Sequence, residues 1–138
     1  MIPRAGIVAA MKVAVIGAGL GNIHAALAKL RGAAPVFVID SQKKRLEMAK
    51  QMAADEIIDI TKTPDAVAEI MRLTNGVGVD YVIEAVGRSS TYEQAFNMIR
   101  RGGKLEAFGI CSDDDFARIP PAQFVLQEKK IGGSCAGI

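Results

Sequence analysis

The stretch Met11 to Asn22, Met-Lys-Val-Ala-Val-Ile-Gly-Ala-Gly-Leu-Gly-Asn, constrains this chain more than any other. Lys12 to Ile16 is an apolar, β-branched run of the kind buried on both faces of a parallel sheet, and it leads directly into glycines. A strand, a glycine-rich turn and a helix together form a seat for a bridged diphosphate. Gly17 permits the tight turn, Gly19 lets backbone N–H groups approach phosphate oxygens, and the helix that follows presents its positive end.

The remaining chain repeats an alternation of strands and helices. Leu20, Ile23, Leu27 and Leu30 recur at helical spacing, interleaved with alanines that allow close packing on a sheet, and Gly32 marks the stop. Pro3 to Ala10, ahead of the first strand, reads as the end of a helix and a turn. Val36 to Ile39, ending in Asp40, is a second strand, and Ser41 is placed to cap a helix with Leu46, Ala49 and Met52 as apolar positions. Glu56 to Ile60 is a short third strand. Thr63-Pro64-Asp65 opens a helix running to Met71 or Leu73 and closed by Asn75-Gly76. Val79 to Glu84 is a fourth strand, and a helix from Ser89 or Ser90 runs to about Arg100. Gly102-Gly103 turns into a fifth strand, Lys104 to Gly109. Pro120-Pro121 opens a last helix through Gln127, and Ile131 to Ser134 is the final strand. Six strands joined by helical crossovers predict an α/β fold, a doubly wound six-stranded parallel sheet of the Rossmann type.

Ligands of such sheets bind at the carboxyl ends of the strands, which converts positions into a candidate site. The first strand delivers Gly17, Gly19, Leu20 and Gly21. The second delivers Asp40, about 20 residues beyond Gly19, where an acid accepts hydrogen bonds from the adenosine ribose hydroxyls. That carboxylate would repel a 2′-phosphate, so NAD is expected over NADP. Lys43, Lys44 and Arg45 stand just past the second strand, where a basic residue either accommodates that phosphate or forms a solvated first helical turn; Arg45 is counted among the cofactor-binding candidates. The fourth strand ends in Ala85-Val86-Gly87 and the fifth in Gly109-Ile110, small or apolar as a nicotinamide and its ribose require.

Composition narrows the alternatives. The 138 residues suffice for one core, and 17 basic against 15 acidic side chains leave a net charge of +2 with no basic run longer than Lys43-Lys44-Arg45. No nucleic-acid footprint follows from that. No apolar segment approaches the roughly 20 residues that span a bilayer and no signal-peptide block opens the chain, so no membrane association and a cytoplasmic location are expected. His24, the single histidine, reads as a packing or capping residue. Glu84 reads either as a structural carboxylate or as a ribose ligand. Asp113-Asp114-Asp115 is a solvated loop, since three consecutive side chains cannot converge on one ion. Cys111 and Cys135 follow neighbouring strands and are read as two reduced thiols, with a bond between them as the alternative.

In order along the chain, Val-Ala-Val-Ile-Gly-Ala-Gly, Val-Phe-Val-Ile-Asp with Lys-Arg-Leu-Glu-Met-Ala-Lys after it, Ala-Asp-Glu-Ile-Ile-Asp, Gly-Val-Asp-Tyr-Val-Ile-Glu-Ala-Val-Gly and Arg-Gly-Gly-Lys-Leu-Glu-Ala-Phe-Gly resemble the landmarks of the medium-chain, zinc-type alcohol and polyol dehydrogenases. The resemblance implies that residues 1–138 are the dinucleotide-binding domain of such an enzyme, and that the GroES-like catalytic domain, which carries the zinc ligands, is absent. No catalytic residue, no zinc on this chain and no independent dehydrogenase activity are then expected; a stand-alone nucleotide-binding or redox-sensing module and a non-binding remnant are the alternatives. It also implies a homodimer formed by the last edge strand, near Ile131 to Ile138. One departure concerns the phosphate turn. In the pattern Gly-x-Gly-x-x-Gly, strict spacing places Asn22 at the third glycine, whereas a turn shorter by one residue gives Gly21 the helix-packing role and matches Asn22-Ile23-His24 to a Gly-Asn-Leu/Ile-His variant; the shorter turn is the preferred alignment.

Overall fold

Two fully buried apolar strands organise the molecule, β1 (Val13–Ile16) and β2 (Val36–Asp40). The computed structural model describes residue 7 and residues 9–135; most of the expected element at residues 3–10 and the last positions of the expected edge contact, residues 136–138, lie outside the described residues. The other strands are β3 (Glu56–Asp59), β4 (Val79–Glu84), β5 (Ile99–Ala107) and β6 (Lys130–Gly133). Between them run α1 (Gly21–Leu30), α2 (Lys43–Met52), α3 (Ala66–Leu73), α4 (Ser89–Met98) and α5 (Pro121–Leu126). The six strands form one parallel sheet in the order β3-β2-β1-β4-β5-β6. This is the doubly wound α/β architecture expected from the alternation, with its switch point between β1 and β4.

Alternation along each strand divides the core into two layers. Val13, Val15, Val36, Val38, Tyr81 and Ile83 face α1 and α2. Ala14, Ile16, Phe37, Ile39, Val82 and Leu105 face α3 and α4. Local signals set several boundaries as expected: the Asp65 carboxylate accepts from the Ala68 N–H at 3.0 Å and caps α3, and Asn75 and Gly76 leave that helix with φ of 55° and 80°.

Several expected details are corrected. The alanines of α1 pack on the sheet as expected, but the apolar positions at helical spacing do not join them: Leu20 is 64% exposed, Ile23 55% and Leu30 83%. Gly21, Ala25 and Ala28 are buried instead, flanked by Asn22 and His24. The cause is proximity, because a Cβ on Gly21 would stand 2.7 Å from Val15 Cγ1, leaving room only for small side chains. Gln42, not Ser41, is the N-cap of α2, and no side chain caps it, since the Ser41 and Gln42 N–H groups are turned back onto Asp40. Met52 is half exposed, and α2 packs through Leu46 and Ala49. The third strand stops at Asp59, and the final one runs from Lys130 to Gly133. The fourth crossover helix stops at Met98, and β5 begins at once, taking in Gly102-Gly103. Its register slips between the pairs Val79↔Ile99 and Tyr81↔Lys104, so the glycines form a bulge inside the strand and not a turn before it. The strand ends at Ala107, short of Gly109.

Candidate functional site

At the carboxyl ends of β1, β2 and β4 the sheet opens into a cleft of about 480 Å³. Its floor is the glycine turn. Gly17 has φ of +101°, and a Cβ there would meet Val86 Cγ2 at 2.9 Å and the Ala85 carbonyl oxygen at 3.1 Å, so only glycine fits. The Gly17 N–H donates to Ile39 O (2.8 Å), and the Asn22 and Ile23 N–H groups close the first helical turn onto Gly19 O and Leu20 O. Among the described residues the N–H groups of Gly19, Leu20 and Gly21 donate to no protein acceptor. No side chain caps α1 and its first turn carries no acid. Three consecutive open donors at the positive end of a helix form an anion seat. Gly21 is the glycine packed on β1, the arrangement of the shorter turn, while Asn22 lies buried with its amide donating to Arg45 O at 3.3 Å.

Asp40 holds this turn in place. Its side chain is 8% exposed. Oδ2 accepts from the Ala18 N–H at 2.7 Å, and Oδ1 accepts from the N–H groups of Ser41 (2.6 Å) and Gln42 (2.9 Å). Arg45 reaches over the turn, with Nη1 3.9 Å from Asp40 Oδ2 and 3.8 Å from the point where a Gly19 Cβ would stand.

Glu84, left open between two roles, is a structural carboxylate here. It is fully buried, and Oε1 accepts from the N–H groups of Val86 (2.6 Å) and Gly87 (2.8 Å) and from the Thr91 hydroxyl (3.1 Å). Among the described residues Oε2 has no hydrogen-bond partner, and it lies against Gly109. Ala85 and Val86 thereby become a wall of the cleft.

Gly17, Gly19, Leu20, Asp40, Arg45, Ala85 and Val86 line the same cleft. Gly21 sits behind it on Val15. Gly87 (φ +88°) is pressed against Ile110 O, and Gly109 and Ile110, the latter 85% exposed, lie outside it. The cleft also contains residues not read as site candidates: Ser41, Gln42, Ile60, Arg88, Thr91 and Gln94. For all but Gln94 the signal was positional, since each follows a strand's carboxyl end or lies in the first turn of the next helix; Gln94 lies midway along α4 and carried no such signal.

His24 stays out of the cleft. It is buried and meets the Phe108 ring edge-to-face at 4.5 Å, and among the described residues its Nδ1 has no hydrogen-bond partner. Burial lowers its pKa from the ordinary value. Asp115 accepts from the Ser89 N–H at 2.8 Å, and Ser112 donates to Asp114, so the acidic loop is spent on its own turn and on the start of α4. Both cysteines are free thiols. Among the described residues no group of three or more His, Cys, Asp or Glu side chains could hold a metal, and no helix is long and apolar enough to cross a membrane.

Comparison with known proteins accords with this geometry. Residues 19–137 match the family described as zinc-binding dehydrogenase. An alcohol dehydrogenase of Cupriavidus necator is 40% identical over 129 residues, 91% of this chain and 34% of that protein. An NADP-dependent isopropanol dehydrogenase of Clostridium beijerinckii is 38% identical over 129 residues, again 91% of this chain and 36% of that protein. The crystal structure of benzyl alcohol dehydrogenase from Acinetobacter calcoaceticus superimposes with a TM-score of 0.92 at 29% identity, covering 99% of this chain and 37% of the other. The chain therefore spans about a third of the length of these relatives.

The buried histidine makes stability depend on pH. The folded protein holds His24 neutral more strongly than the unfolded chain does, so its contribution is complete above about pH 6.5 and is lost as pH falls below that value. Urea midpoints at pH 7.5 and pH 5.0 are expected to drop more steeply for the natural chain than for His24→Gln; equal drops would show that His24 does not carry the dependence.

Proposed function

Because the chain belongs to the zinc-binding dehydrogenase family, we propose that it is the part of such an oxidoreductase that holds the nicotinamide dinucleotide. The observation that supports this best is the row of three open N–H groups at Gly19, Leu20 and Gly21, in a turn too tight for any side chain at Gly17. Unpaired N–H groups at a helix N-terminus are the donors that a pyrophosphate's oxygens require. Asp40 would accept from the adenosine ribose hydroxyls with lone pairs its three N–H donors leave free. Arg45 would lie along the diphosphate, and Ala85 and Val86 would flank the nicotinamide ribose. A bound dinucleotide would supply or accept the hydride, and this chain's residues would fix its position.

The preference assigned to Asp40 is for NAD. Its carboxylate is nearly buried, and a 2′-phosphate beside it would set two negative charges in contact with weak screening. Arg45 offsets part of that repulsion from a half-exposed position. Hydride transfer to or from an alcohol needs, in this reading, the catalytic portion that the relatives carry in the other two thirds of their length.

A homodimer through β6 belongs to the same proposal. Among the described residues the strand pairs with β5 on one side only, and Ile131 on it is 40% exposed. Light scattering after size exclusion is expected to return twice the chain mass at high concentration, and monomer alone would remove the dimer.

Fluorescence titration measures the cofactor claim. NADH is expected to bind saturably and at least about tenfold tighter than NADPH, a difference of about 1.4 kcal/mol. Asp40→Asn should narrow that ratio. Absence of saturation at millimolar NADH would overturn the reading, and tighter binding of NADPH would overturn the assignment of Asp40.

A further inference from the structure

At the other end of the sheet, where β4 and β5 begin, a second recess of about 420 Å³ opens away from the dinucleotide cleft. Its polar lining consists of Asn97, Arg100, Arg101, Gln123, Gln127 and Lys129, and no carboxylate borders it. Three cations and three amides with no acid among them suit a ligand rich in acceptors.

Lys129 makes this recess unlike a solvated basic surface. It is only 6% exposed. Its ammonium donates to Phe96 O at 2.8 Å and stands 4.5 Å from the centre of the Phe96 ring, and among the described residues it has no acidic partner. A lysine has three N–H donors and one is used here. A nearly buried ammonium without a counter-charge is costly, and burial lowers its pKa accordingly. The backbone nonetheless delivers it inward: Glu128 adopts φ of 52°, a conformation that non-glycine residues seldom take, and the Glu128 and Lys129 N–H groups close the end of α5 onto Val125 O and Phe124 O. Arg101 spends one nitrogen on Leu126 O, again a carbonyl and not a carboxylate. Among the described residues Arg100 alone of these three cations is ion-paired, to Asp80.

We propose that this recess binds the phosphate group of a small metabolite, with Lys129 as the buried counter-charge, Arg101 closing on the anion from the rim, and the amides of Asn97, Gln123 and Gln127 completing its hydrogen bonds. Lys129 and Arg101, which have no acidic partner among the described residues, on one concave site match a phosphate's charge and acceptor number. The site is separate from the dinucleotide cleft and stands whether or not that cleft binds NAD.

Titration of the ¹⁵N-labelled chain with inorganic phosphate, against sodium chloride at matched ionic strength, tests the proposal. The side-chain amide resonances of Asn97, Gln123 and Gln127 are expected to move saturably with phosphate and not with chloride, and the Lys129 ammonium to titrate at higher pH once phosphate is bound. Lys129→Met, which keeps the buried stem and removes the charge, should weaken phosphate at least tenfold while NADH titrates unchanged. Arg101→Gln, an exposed replacement, should weaken it about threefold or more and guards against misfolding of the first variant. Resonance changes confined to Gly19 to Gly21, an equal response to chloride, or phosphate affinity unchanged in both variants would overturn it.

Discussion

The structure around the cleft depends on one carboxylate, that of Asp40. Its two oxygens accept from three N–H groups in two separate connections, Ala18 after β1 and Ser41 and Gln42 after β2. Hydrogen bonds to a charged acceptor each contribute about 1.5–3 kcal/mol, and removing this one orphans the buried Ala18 N–H at comparable cost, while the more exposed Ser41 and Gln42 N–H groups can turn to water. The two turns are thereby locked to each other. With the Ala18 N–H held, the chain turns at Gly17, and among the described residues the next three N–H groups have no protein acceptor. The open anion seat is thus a consequence of where Asp40 stands, and a side chain that cannot accept at both turns would let the seat relax.

Glu84 repeats the device on the other side of the switch point. It is paired in register with Ile16, ends its strand as Asp40 does, and turns its carboxylate back onto the N–H groups of its own loop, Val86 and Gly87. The cleft therefore has two rigid rims, each set by a buried acid at a strand's carboxyl end, with the glycine turn between them. The difference lies in exposure. Asp40 borders the cleft, whereas Glu84 is sealed behind Ala85 and Val86 with one oxygen against Gly109. Asp40 can therefore serve a ligand and Glu84 serves the wall.

The strand pattern, the glycine turn and the spacing from Gly19 to Asp40 were legible in the sequence because each is a local requirement: β-branched runs for buried parallel strands, glycine where φ is positive or a neighbour's backbone is close, an acid at the end of the second strand. What was not legible depends on how elements meet. The leucines of α1 share a helical face, yet that face points outward, because Gly21 brings the helix so near Val15 that only glycine and alanine fit between. Gly102-Gly103 reads as a turn and becomes a bulge, since β4 already offers partners on both sides of it. The fate of Lys129 is still further from the sequence: its neighbours Glu128 and Lys130 suggest a solvated run, and only the left-handed turn at Glu128 sends it beneath Phe96.

The measurement closest to the central claim is a crystal structure of the chain grown with NADH. The account predicts diphosphate oxygens within hydrogen-bond distance of the Gly19, Leu20 and Gly21 N–H groups and the adenosine ribose on Asp40, with Asp40 still holding Ala18. A dinucleotide bound elsewhere, or one whose diphosphate is met by side chains while those three N–H groups stay bare, would contradict it.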